Sequence, residues 1–386
     1  MTKDKKLFGI GIAIFLLGLA SFFADVSSEI INPVLPLFAT ALGASSIIIG
    51  FLGGLSEAVA SIFRIYSGYL SDKWGKRKRL IILGYGTSSM AKLFLSMSVS
   101  WLQILVFKPI ERIGKGMREP PRDALVAETT DKKIHGKIFG ILRTMDTSGA
   151  VIGSIIAFLF LWLIKLDFRA IILIAGAVSF IALIPLFFVK DSVKKPEKEK
   201  LRTSIKELPK NFKILIMIIA VFSLADFSYM FYILKAQEVT KSIYLPVLLY
   251  ALYNLVYAMF AVPFGILSDK IGKKKVLNAG YFVFATTLIG FSLFSSLAWF
   301  IALFVLYGFA NAMIVGTERA FASDLIQKKY GVAFGTFHTT LAIIALPASL
   351  LAGVLWQFNS SLPFLISAVI VTVAAILLVL NKNLEV

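Results

Sequence analysis

Hydrophobic residues in this chain are gathered into long blocks, which are separated by short stretches of charged and turn-forming residues. Blocks such as 171–189 and 364–380 are almost entirely apolar, and about 20 apolar residues suffice for a helix to cross the ~30 Å hydrocarbon core of a bilayer. The blocks are too long and too continuous for barrel strands, so helices are the expected spanning elements. Twelve membrane-spanning helices are predicted, at residues 8–38, 47–70, 80–98, 101–126, 136–164, 168–189, 212–236, 243–267, 276–295, 297–322, 331–357 and 361–381.

The connections between these helices alternate in charge. One set, which includes the N-terminus, the 73–79 loop and the 190–213 segment, is rich in lysine and arginine, whereas the other set has only Lys165 and Lys241 as basic residues. Cytoplasmic loops of membrane proteins carry the excess of basic residues, so both termini are expected in the cytoplasm. The chain is therefore predicted to be an all-α integral membrane protein, with a six-helix bundle at 1–189, a cytoplasmic linker at 190–212 and a second six-helix bundle at 213–386.

Composition supports this fold class and argues against several functions. The chain is 58% hydrophobic and 16% charged, compared with roughly 45–50% and 25% in soluble domains. Its net charge of +18 is assigned to the cytoplasmic loops, so no nucleic-acid partner is expected. The chain has no cysteine and only two histidines, and it has neither a nucleotide-binding P-loop motif nor a nucleophile–base pattern. We therefore expect no metal, no cofactor and no enzymatic activity.

A basic loop occurs twice in the sequence. Gly68-Tyr-Leu-Ser-Asp72-Lys-Trp-Gly75-Lys-Arg77-Lys in the first half corresponds to Gly265-Ile-Leu-Ser-Asp269-Lys-Ile-Gly272-Lys-Lys-Lys in the second half, at an offset of 269 − 72 = 197 residues. Asp25 and Asp226 also correspond, as do Arg118 and Arg319, at an offset of 201 residues. Such a duplication predicts two parallel halves related by a pseudo-two-fold axis along the membrane normal.

The glycines and charges of this loop suggest how it folds. Gly68 and Gly265 are expected to allow close backbone approach, and Gly75 and Gly272 to allow a tight turn. The loop, and the chain as a whole, resembles the major facilitator superfamily of secondary transporters, whose signature joins helices two and three. The resemblance implies a cytoplasmic latch in which Asp72 pairs with Arg118 or Arg122. The implied gate residues are Gly68, Asp72, Gly75, Arg77, Arg118, Gly265, Asp269 and Gly272.

Helix four of the prediction, residues 101–126, carries an unusual number of charges for a membrane span. Ionisable residues at membrane depth are costly and are usually functional, and most of these recur every three or four residues, on one helical face. In the superfamily that the chain resembles, helices one, four, seven and ten line a central cavity. The charges on helix four are Lys108, Glu111, Arg112, Lys115, Arg118 and Arg122, and those on the other three helices include Asp25, Glu29, Asp226 and Glu318.

The resemblance also implies a role in proton coupling for Arg112, because Arg112-x-x-Lys-Gly116 partly matches the family motif Arg-x-x-Gln-Gly-x-Gly. Its acid partner would be Asp25, Glu29 or Asp146. The alternatives are a permanent Asp25–Arg112 salt bridge that holds two helices together, and a structural pairing of Asp146 with Arg143. The candidate proton-coupling residues are Asp25, Glu29, Arg112, Asp146 and Asp226.

Glycines on helix five bear on the direction of transport, and aromatic residues on helices seven and eight bear on the transported substrate. Gly140, Gly149 and Gly153 match half of a motif that proton-coupled exporters of the superfamily carry, although close helix packing explains them equally well. The aromatic residues would contact an amphipathic ligand, or form an interfacial belt. The candidate substrate-cavity residues are Lys108, Glu111, Lys115, Arg143, Tyr229, Tyr232, Asn254 and Glu318.

The function implied by this resemblance is secondary active transport by alternating access, with proton-coupled export of a small amphipathic drug or metabolite. The protein is expected to be a monomer in the plasma membrane of a prokaryote, with protons, lipid and a small-molecule substrate as its partners. Two alternatives remain open. One is a carrier of organic anions or lysolipids, and the other is a non-transporting sensor built on the same fold.

Overall fold

A computed structural model describes residues 6–7, 10–130, 135–189, 191, 208–326, 330–381 and 384. These residues form fifteen helices and one antiparallel pair of two-residue strands, β1 (Lys6–Leu7) and β2 (Ile10–Gly11). The helices are α1 (Ile12–Ile31), α2 (Leu35–Ala41), α3 (Ser46–Trp74), α4 (Arg77–Ser96), α5 (Trp101–Thr129), α6 (His135–Trp162), α7 (Phe168–Ile181), α8 (Ile184–Phe188), α9 (Lys210–Ser223), α10 (Met230–Thr240), α11 (Leu245–Ile271), α12 (Lys273–Leu293), α13 (Leu297–Asp324), α14 (Tyr330–Phe358) and α15 (Leu362–Leu380).

Every predicted span overlaps one or two of these helices, but three spans are interrupted. The first begins at Ile12 and breaks at residues 32–34, the sixth breaks at 182–183, and the seventh breaks at 224–229. Proline removes a backbone donor from the helix; Pro33 lies in the first break, and Pro185 follows the second break at the start of α8. Each of these three predicted spans therefore consists of two shorter helices.

Nine stretches of the described residues are long and apolar enough to cross a membrane. The predicted spans that lack such a stretch are those of α4 and α5, which carry several charges, and that of α9 and α10, which are only 14 and 11 residues long. Large apolar side chains are also exposed on the outside of the helices, such as Phe282 at 70% and Phe358 at 79%. Surfaces of this kind are suited to contact with lipid.

The described residues divide into two compact units, one within residues 1–42 and 59–201, and the other within 43–58 and 202–386. The first part of α3 therefore belongs to the second unit, whereas the predicted boundary leaves it in the first half. Small residues explain this grouping, because they bring α3 against α14. Ser46 Oγ donates to the carbonyl of Gly353 over 2.8 Å, and a methyl group added at Gly54 would lie 2.6 Å from Leu346 Cα.

In the first unit α4 packs along α5 and α1 packs along α6, while α7 contacts both α1 and α4. Its buried apolar core is formed by side chains from α1, α4, α5, α6 and α8, among them Leu17, Tyr85 and Leu142. These packing contacts hold α1, α4, α5 and α6 side by side, so that polar residues on their facing surfaces meet.

The second unit is built around α11, α12, α13 and α15, and aromatic stacking dominates its core. The rings of Phe222 and Tyr281 stack with their centroids 4.3 Å apart. Tyr232 stacks on Tyr307 at the same separation and meets Phe364 edge-on at 5.3 Å. Such pairs add to the burial of large apolar rings, so this core is rigid and apolar.

The repeated loops contain two pairs of glycines. The pair that is predicted to form the tight turn does so, whereas the pair that is predicted to allow close backbone approach does not. Gly75 and Gly272 have φ angles of +63° and +101°, which favour glycine. Gly68 and Gly265, in contrast, are not sites of close approach. A methyl group added at Gly68 would meet Pro120 Cβ at an ordinary 3.6 Å, and one at Gly265 would meet no described atom within 4 Å, because both positions lie on open helix surfaces.

Candidate functional site

The first repeated loop is held to α5 by Arg77, which binds Glu128, and not by a pairing of Asp72 with an arginine of α5. The guanidinium of Arg77 donates to both carboxylate oxygens of Glu128, over 2.9 and 2.7 Å, and its Nη2 lies 3.0 Å from Asp72 Oδ1. Burial lowers the pKa of Arg77, but the carboxylates of Glu128 and Asp72 more than offset this and raise the pKa above its usual value. Arg77 therefore clamps the loop to the end of α5 as a permanent cation.

The expected partners of Asp72 lie elsewhere. Arg118 is 3% exposed, and its guanidinium stacks over the ring of Tyr85, 4.4 Å from the ring centroid. Arg122 is bound to acids on α5 and α6. The predicted pairing of Asp72 with Arg118 or Arg122 is wrong, because Arg77, five residues along the same loop, is within reach of Asp72.

The second repeated loop uses different contacts. Lys273 Nζ lies 3.5 Å from Asp269 and donates to Asp324. Lys274, which corresponds to Arg77 in the repeat (77 + 197 = 274), donates instead to the main-chain carbonyl of Asn381 over 3.0 Å. The two loops therefore share a fold but not a charge network.

A buried cluster lies at the start of α5. Lys108 and Glu111 are each 1% exposed, and Lys108 Nζ lies 2.9 Å from Glu111 Oε2. Lys108 also donates to Asn32 Oδ1 over 3.1 Å, and Asn32 Nδ2 donates to Glu29 over 2.9 Å. Glu29 and Lys108 are thus joined through Asn32, at the end of α1.

Lys92 on α4 is a buried cation that the sequence analysis missed. It is 1% exposed, and its Nζ donates to the hydroxyls of Ser27 and Ser28 over 2.9 and 3.0 Å. Ser27 in turn donates to the carbonyl of Ala175 on α7. The signal was present in the sequence, since a lysine in the middle of a predicted span is as costly as the charges on helix four.

Asp25 lies near the middle of α1 and faces Lys115 of α5. Its Oδ1 is 4.0 Å from Lys115 Nζ, and the same Nζ is 3.8 Å from Glu119 Oε1. Glu119, which the sequence analysis did not select, also accepts from Arg64 Nε over 2.7 Å. The Asp25 and Lys115 side chains are 19% and 21% exposed, so both are only partly buried.

Asp25 lies beside Lys115, and Asp146 lies beside Arg122. Arg112 Nε lies 4.0 Å from Glu111 Oε2. Asp146 on α6 accepts from Arg122 Nη1 at 3.4 Å, and the same nitrogen donates to Ser21 of α1. Arg122 thus ties α5 to α1 and α6, in the place that the sequence analysis gave to Arg112 or Arg143. Arg143 is exposed.

Glycines on α6 bring it close enough to α1 for these contacts. A methyl group added at Gly149 would lie 2.7 Å from the carbonyl oxygen of Phe22, and one at Gly153 would overlap the carbonyl of Val26. At Gly140, in contrast, no described atom lies within 4 Å of the added group. Two of the three motif glycines are therefore needed for packing, and this packing places Asp25 beside α6.

The candidate residues of the second unit are more scattered. Asp226 is exposed and lies in the break between α9 and α10. Glu318 is 7% exposed and accepts from Tyr281 Oη over 2.8 Å. Tyr232 is 1% exposed, inside the aromatic core, which favours packing over ligand contact. Tyr229 and Tyr250 have ring centroids 5.5 Å apart, and Asn254 is buried on α11, 7% exposed.

No group of acidic residues or histidines within the described ranges is arranged to hold a metal ion. The first unit instead contains a run of charged residues along α5, from Lys108 to Glu128. Several of them pair with residues of α1, α3, α4 and α6. Such a run inside an apolar bundle is suited to proton exchange and to recognition of a polar group.

Comparison with known proteins identifies the family. The sequence profile of the Major Facilitator Superfamily matches residues 17–246 and 216–384. The chain belongs to the Major Facilitator Superfamily. It is therefore a multi-pass membrane transporter of a family that does not consist of enzymes, and the resemblance carried by the repeated loop is confirmed.

Relatives in this superfamily include an archaeal and several bacterial proteins. The MFS-type transporter MJ1317 of Methanocaldococcus jannaschii is 46% identical over 374 residues, which cover 95% of this chain and 94% of that protein. The multidrug resistance protein MdtH of Proteus mirabilis is 27% identical over 178 residues, or 44% of this chain and 42% of MdtH.

Solved structures of superfamily members show the same fold. A bacterial homologue of the human lysosomal transporter Spinster superposes with a TM-score of 0.79 at 15% identity and covers 96% of each chain. The POT family transporter PepTSo gives a TM-score of 0.80 at 14% identity and covers 95% of this chain and 97% of its own. At this level of identity the likeness concerns the fold alone.

Proposed function

We propose that the protein is a proton-coupled antiporter that exports a small amphipathic drug or metabolite by alternating access. The observation that carries this proposal is the Asp25–Lys115–Glu119 group, in which one ammonium lies within 4.0 Å of two carboxylates. Asp25 is the member on α1, and it is partly exposed inside an otherwise apolar bundle.

The shared ammonium gives Asp25 two stable states. While Asp25 is ionised, Lys115 serves both carboxylates. When Asp25 takes up a proton, Lys115 keeps Glu119 as its partner, so no buried cation is left without a counter-ion. Leaving one member of a buried pair uncompensated is the main cost of breaking it, and this arrangement avoids that cost. Asp25 is thus the proton-binding residue of the proposed cycle.

Asp146 is the second acid in this proposal. It faces Arg122 across α5 and α6 at 3.4 Å, and its side chain is 14% exposed. Because Arg122 also binds Asp123 and Ser21, protonation of Asp146 would leave Arg122 with other acceptors. Arg122 therefore takes over the coupling role that the sequence analysis assigned to Arg112.

The proposed topology has twelve membrane spans with both termini in the cytoplasm of a prokaryotic cell and the chain acting as a monomer in the plasma membrane. Its support is the alternation of basic and non-basic connections and the repeat of the 68–78 loop at 265–275. The clamp formed by Arg77, Glu128 and Asp72 would then lie at the cytoplasmic end of the first unit, where the superfamily's latch is expected.

Export of an amphipathic substrate is supported by the multidrug resistance name that the MdtH relatives carry and by tyrosines on α11, such as Tyr250 and Tyr253, whose ring centroids are 5.6 Å apart. A carrier of organic anions or lysolipids is the second candidate. The buried cluster has three basic residues, Lys92 of α4 with Lys108 and Arg112 of α5, against the two acids Glu29 and Glu111, and this excess favours it.

Proteoliposomes that contain a pH-sensitive dye test both candidates. The purified protein is given a proton gradient and a panel of amphipathic cations, organic anions and lysolipids. We expect substrate-dependent proton movement that is lost in Asp25→Asn and reduced in Asp146→Asn. The matched control is Asp167→Asn, because Asp167 caps α7 on the surface and asparagine caps a helix equally well.

The outcomes separate the alternatives. Proton movement with cationic amphiphiles supports the exporter, and proton movement with anions or lysolipids supports the second candidate. Flux that ignores the gradient and survives Asp25→Asn would make Asp25 a structural residue. Binding without any flux would favour a sensor on the same fold.

A further inference from the structure

Glu318 on α13 is a buried acid that the proposed function leaves unused. It is 7% exposed, and its Oε1 accepts a hydrogen bond from Tyr281 Oη of α12 over 2.8 Å. Among the described residues, no lysine, arginine or histidine nitrogen lies within 4 Å of its carboxyl group. The hydrogen-bond donor to Glu318 is therefore a neutral hydroxyl group instead of a cation.

Close packing between α12 and α13 holds this donor in place. Tyr281 is 0% exposed, and its ring stacks on that of Phe222 of α9 with the centroids 4.3 Å apart. A methyl group added at Gly280 would lie 2.8 Å from Ile314 Cγ1, so the glycine lets the two helices approach one turn before Glu318. The contact between Tyr281 and Glu318 is thus part of the interface between two helices.

A buried acid of the first unit has different surroundings. Glu111 on α5 is 1% exposed, and it lies 2.9 Å from Lys108 Nζ, so its carboxylate has a counter-ion. At the repeat offset of 201 residues, Glu318 corresponds to Met117 of α5, since 318 − 201 = 117. Glu318 is therefore not a copy of an acid that is paired in the first half.

Charges elsewhere in the second unit do not replace the missing counter-ion. Asp226, in the break between α9 and α10, and Arg319, the next residue on α13, act on Glu318 electrostatically, but their charges have opposite signs. Arg319 is exposed. A carboxylate that is buried without a partner is costly, and proton uptake removes this cost. The surroundings of Glu318 therefore favour a neutral carboxyl group.

We infer that Glu318 carries an exchangeable proton in this structure and is a further proton-binding residue, located in the second unit. In the neutral state, Tyr281 donates to the carbonyl oxygen Oε1. On release, the O–H bond at Oε2 breaks, the proton passes to water, and Tyr281 donates to the carboxylate that remains. One hydroxyl group thus serves both states. The use of this proton in a transport cycle rests on the proposed function, whereas the protonation itself does not.

Infrared difference spectroscopy of the purified full-length protein in detergent at neutral pH tests the protonation. A neutral carboxyl group has a carbonyl stretching band that is separate from the bands of carboxylates. The test variants are Glu318→Gln, which removes the carboxyl group, and Tyr281→Phe, which removes only the hydroxyl group that binds it. Glu238→Gln is the matched control, because Glu238 is an exposed glutamate of the same unit and lies 3.1 Å from Lys235 Nζ.

We expect the wild type to show a neutral carboxyl band that is lost in Glu318→Gln and kept in Glu238→Gln. Transfer to heavy water should move this band to lower frequency, because an exchangeable O–H becomes O–D. Tyr281→Phe should move the band to higher frequency, because the carbonyl loses its hydrogen bond, and this shift assigns the band even if Glu318→Gln fails to fold. Identical spectra for Glu318→Gln and the wild type, or a band that heavy water does not move, would overturn the inference.

Proteoliposomes separate this inference from the proposed function. With the substrate panel described above, Glu318→Gln should lower the number of protons moved per substrate molecule, whereas Glu238→Gln should leave it unchanged. An unchanged number in Glu318→Gln would make the neutral carboxyl group structural and would refute its role as a proton carrier. If the wild type moves no protons, the proposed function fails, and the infrared bands still decide whether Glu318 binds a proton.

Discussion

Lys92 and Lys108 are both 1% exposed in the first unit, but their surroundings differ. Lys108 faces the carboxylate of Glu111 at 2.9 Å, whereas Lys92 donates to the hydroxyls of Ser27 and Ser28. The same substitution should therefore have opposite effects at the two positions. Replacing one partner of a buried ion pair leaves the other charge uncompensated, whereas replacing a buried charge that lacks such a partner by an apolar side chain of similar length removes its desolvation penalty.

We predict that Lys108→Met lowers stability by about 3 kcal/mol and that Lys92→Met leaves stability unchanged or raises it. Thermal unfolding in detergent measures both, and Lys108→Met combined with Glu111→Leu should recover most of the loss. Equal destabilisation by both single substitutions would show that Lys92 is held by more than the two serines.

Candidate residues could be found from the sequence, but their partners could not. Regular spacing placed Lys108, Glu111, Lys115 and Arg122 on one face of α5, and the structure agrees that this face meets other helices. Spacing does not give the rotation of one helix against another, or the reach of a side chain. The sequence therefore missed that Arg122, rather than Arg112, binds Asp146.

The contact between α1 and α6 is the element on which the charged group depends. Gly149 and Gly153 are in direct contact with the backbone of α1, whereas Gly140, on the same helix, is open. Overpacking of this kind typically costs about 1–3 kcal/mol. An alanine at an open helical position instead stabilises by roughly 0.5–1 kcal/mol, because glycine loses more conformational freedom on folding.

We therefore predict that Gly153→Ala destabilises the protein and reduces proton movement, because it pushes α6 away from Asp25. Gly140→Ala should be neutral or slightly stabilising and should leave transport intact. Unfolding temperatures and proteoliposome assays on the same preparations provide the two measurements. If Gly140→Ala also abolished transport, this glycine would have a role other than packing.

At the scale of whole helices, the sequence predicted where the helices lie along the chain but not every place where a span is interrupted. Each apolar block has a helix, because block length and composition decide which segments enter a bilayer. The breaks at 32–34 and 182–183 had visible proline signals in Pro33 and Pro185. The break at 224–229, which contains Asp226, had no such signal; within it the backbone N–H of Ser228 donates to Ser349 Oγ over 3.1 Å.

At the scale of the molecule, the duplication gives the two units a shared loop but different interiors. In the interior of the first unit, charged side chains connect α1, α4, α5 and α6. In the interior of the second unit, aromatic rings such as those of Tyr232 and Tyr307 stack on one another. The two halves thus differ in the chemistry of their interiors, although both have the repeated turn at Gly75 or Gly272. The proposed proton exchange accordingly involves Asp25 and Asp146 of the first unit.

The proposed orientation can be tested directly because the chain contains no cysteine, so each introduced cysteine is the only thiol. Val99 and Lys241 lie in connections predicted outside, and Lys76 and Lys270 lie in the two basic loops predicted inside; all four side chains are exposed. Basic loops are retained on the cytoplasmic side. With a membrane-impermeant maleimide on intact cells, Val99→Cys and Lys241→Cys should be labelled, whereas Lys76→Cys and Lys270→Cys should be labelled only after permeabilisation.

Lys76→Cys and Val99→Cys report on the first half of the chain, and Lys241→Cys and Lys270→Cys on the second half. The experiment therefore also tests the parallel repeat. If the halves were inverted relative to each other, Lys76→Cys and Lys270→Cys would be labelled from opposite sides, and the common offset of the basic loops would have no topological meaning. If both were labelled from outside, the whole chain would be reversed, and the clamp of Arg77, Asp72 and Glu128 would close the wrong end for a cytoplasmic latch. Labelling of Val99→Cys and Lys241→Cys alone is the one pattern that fits twelve spans with both termini inside.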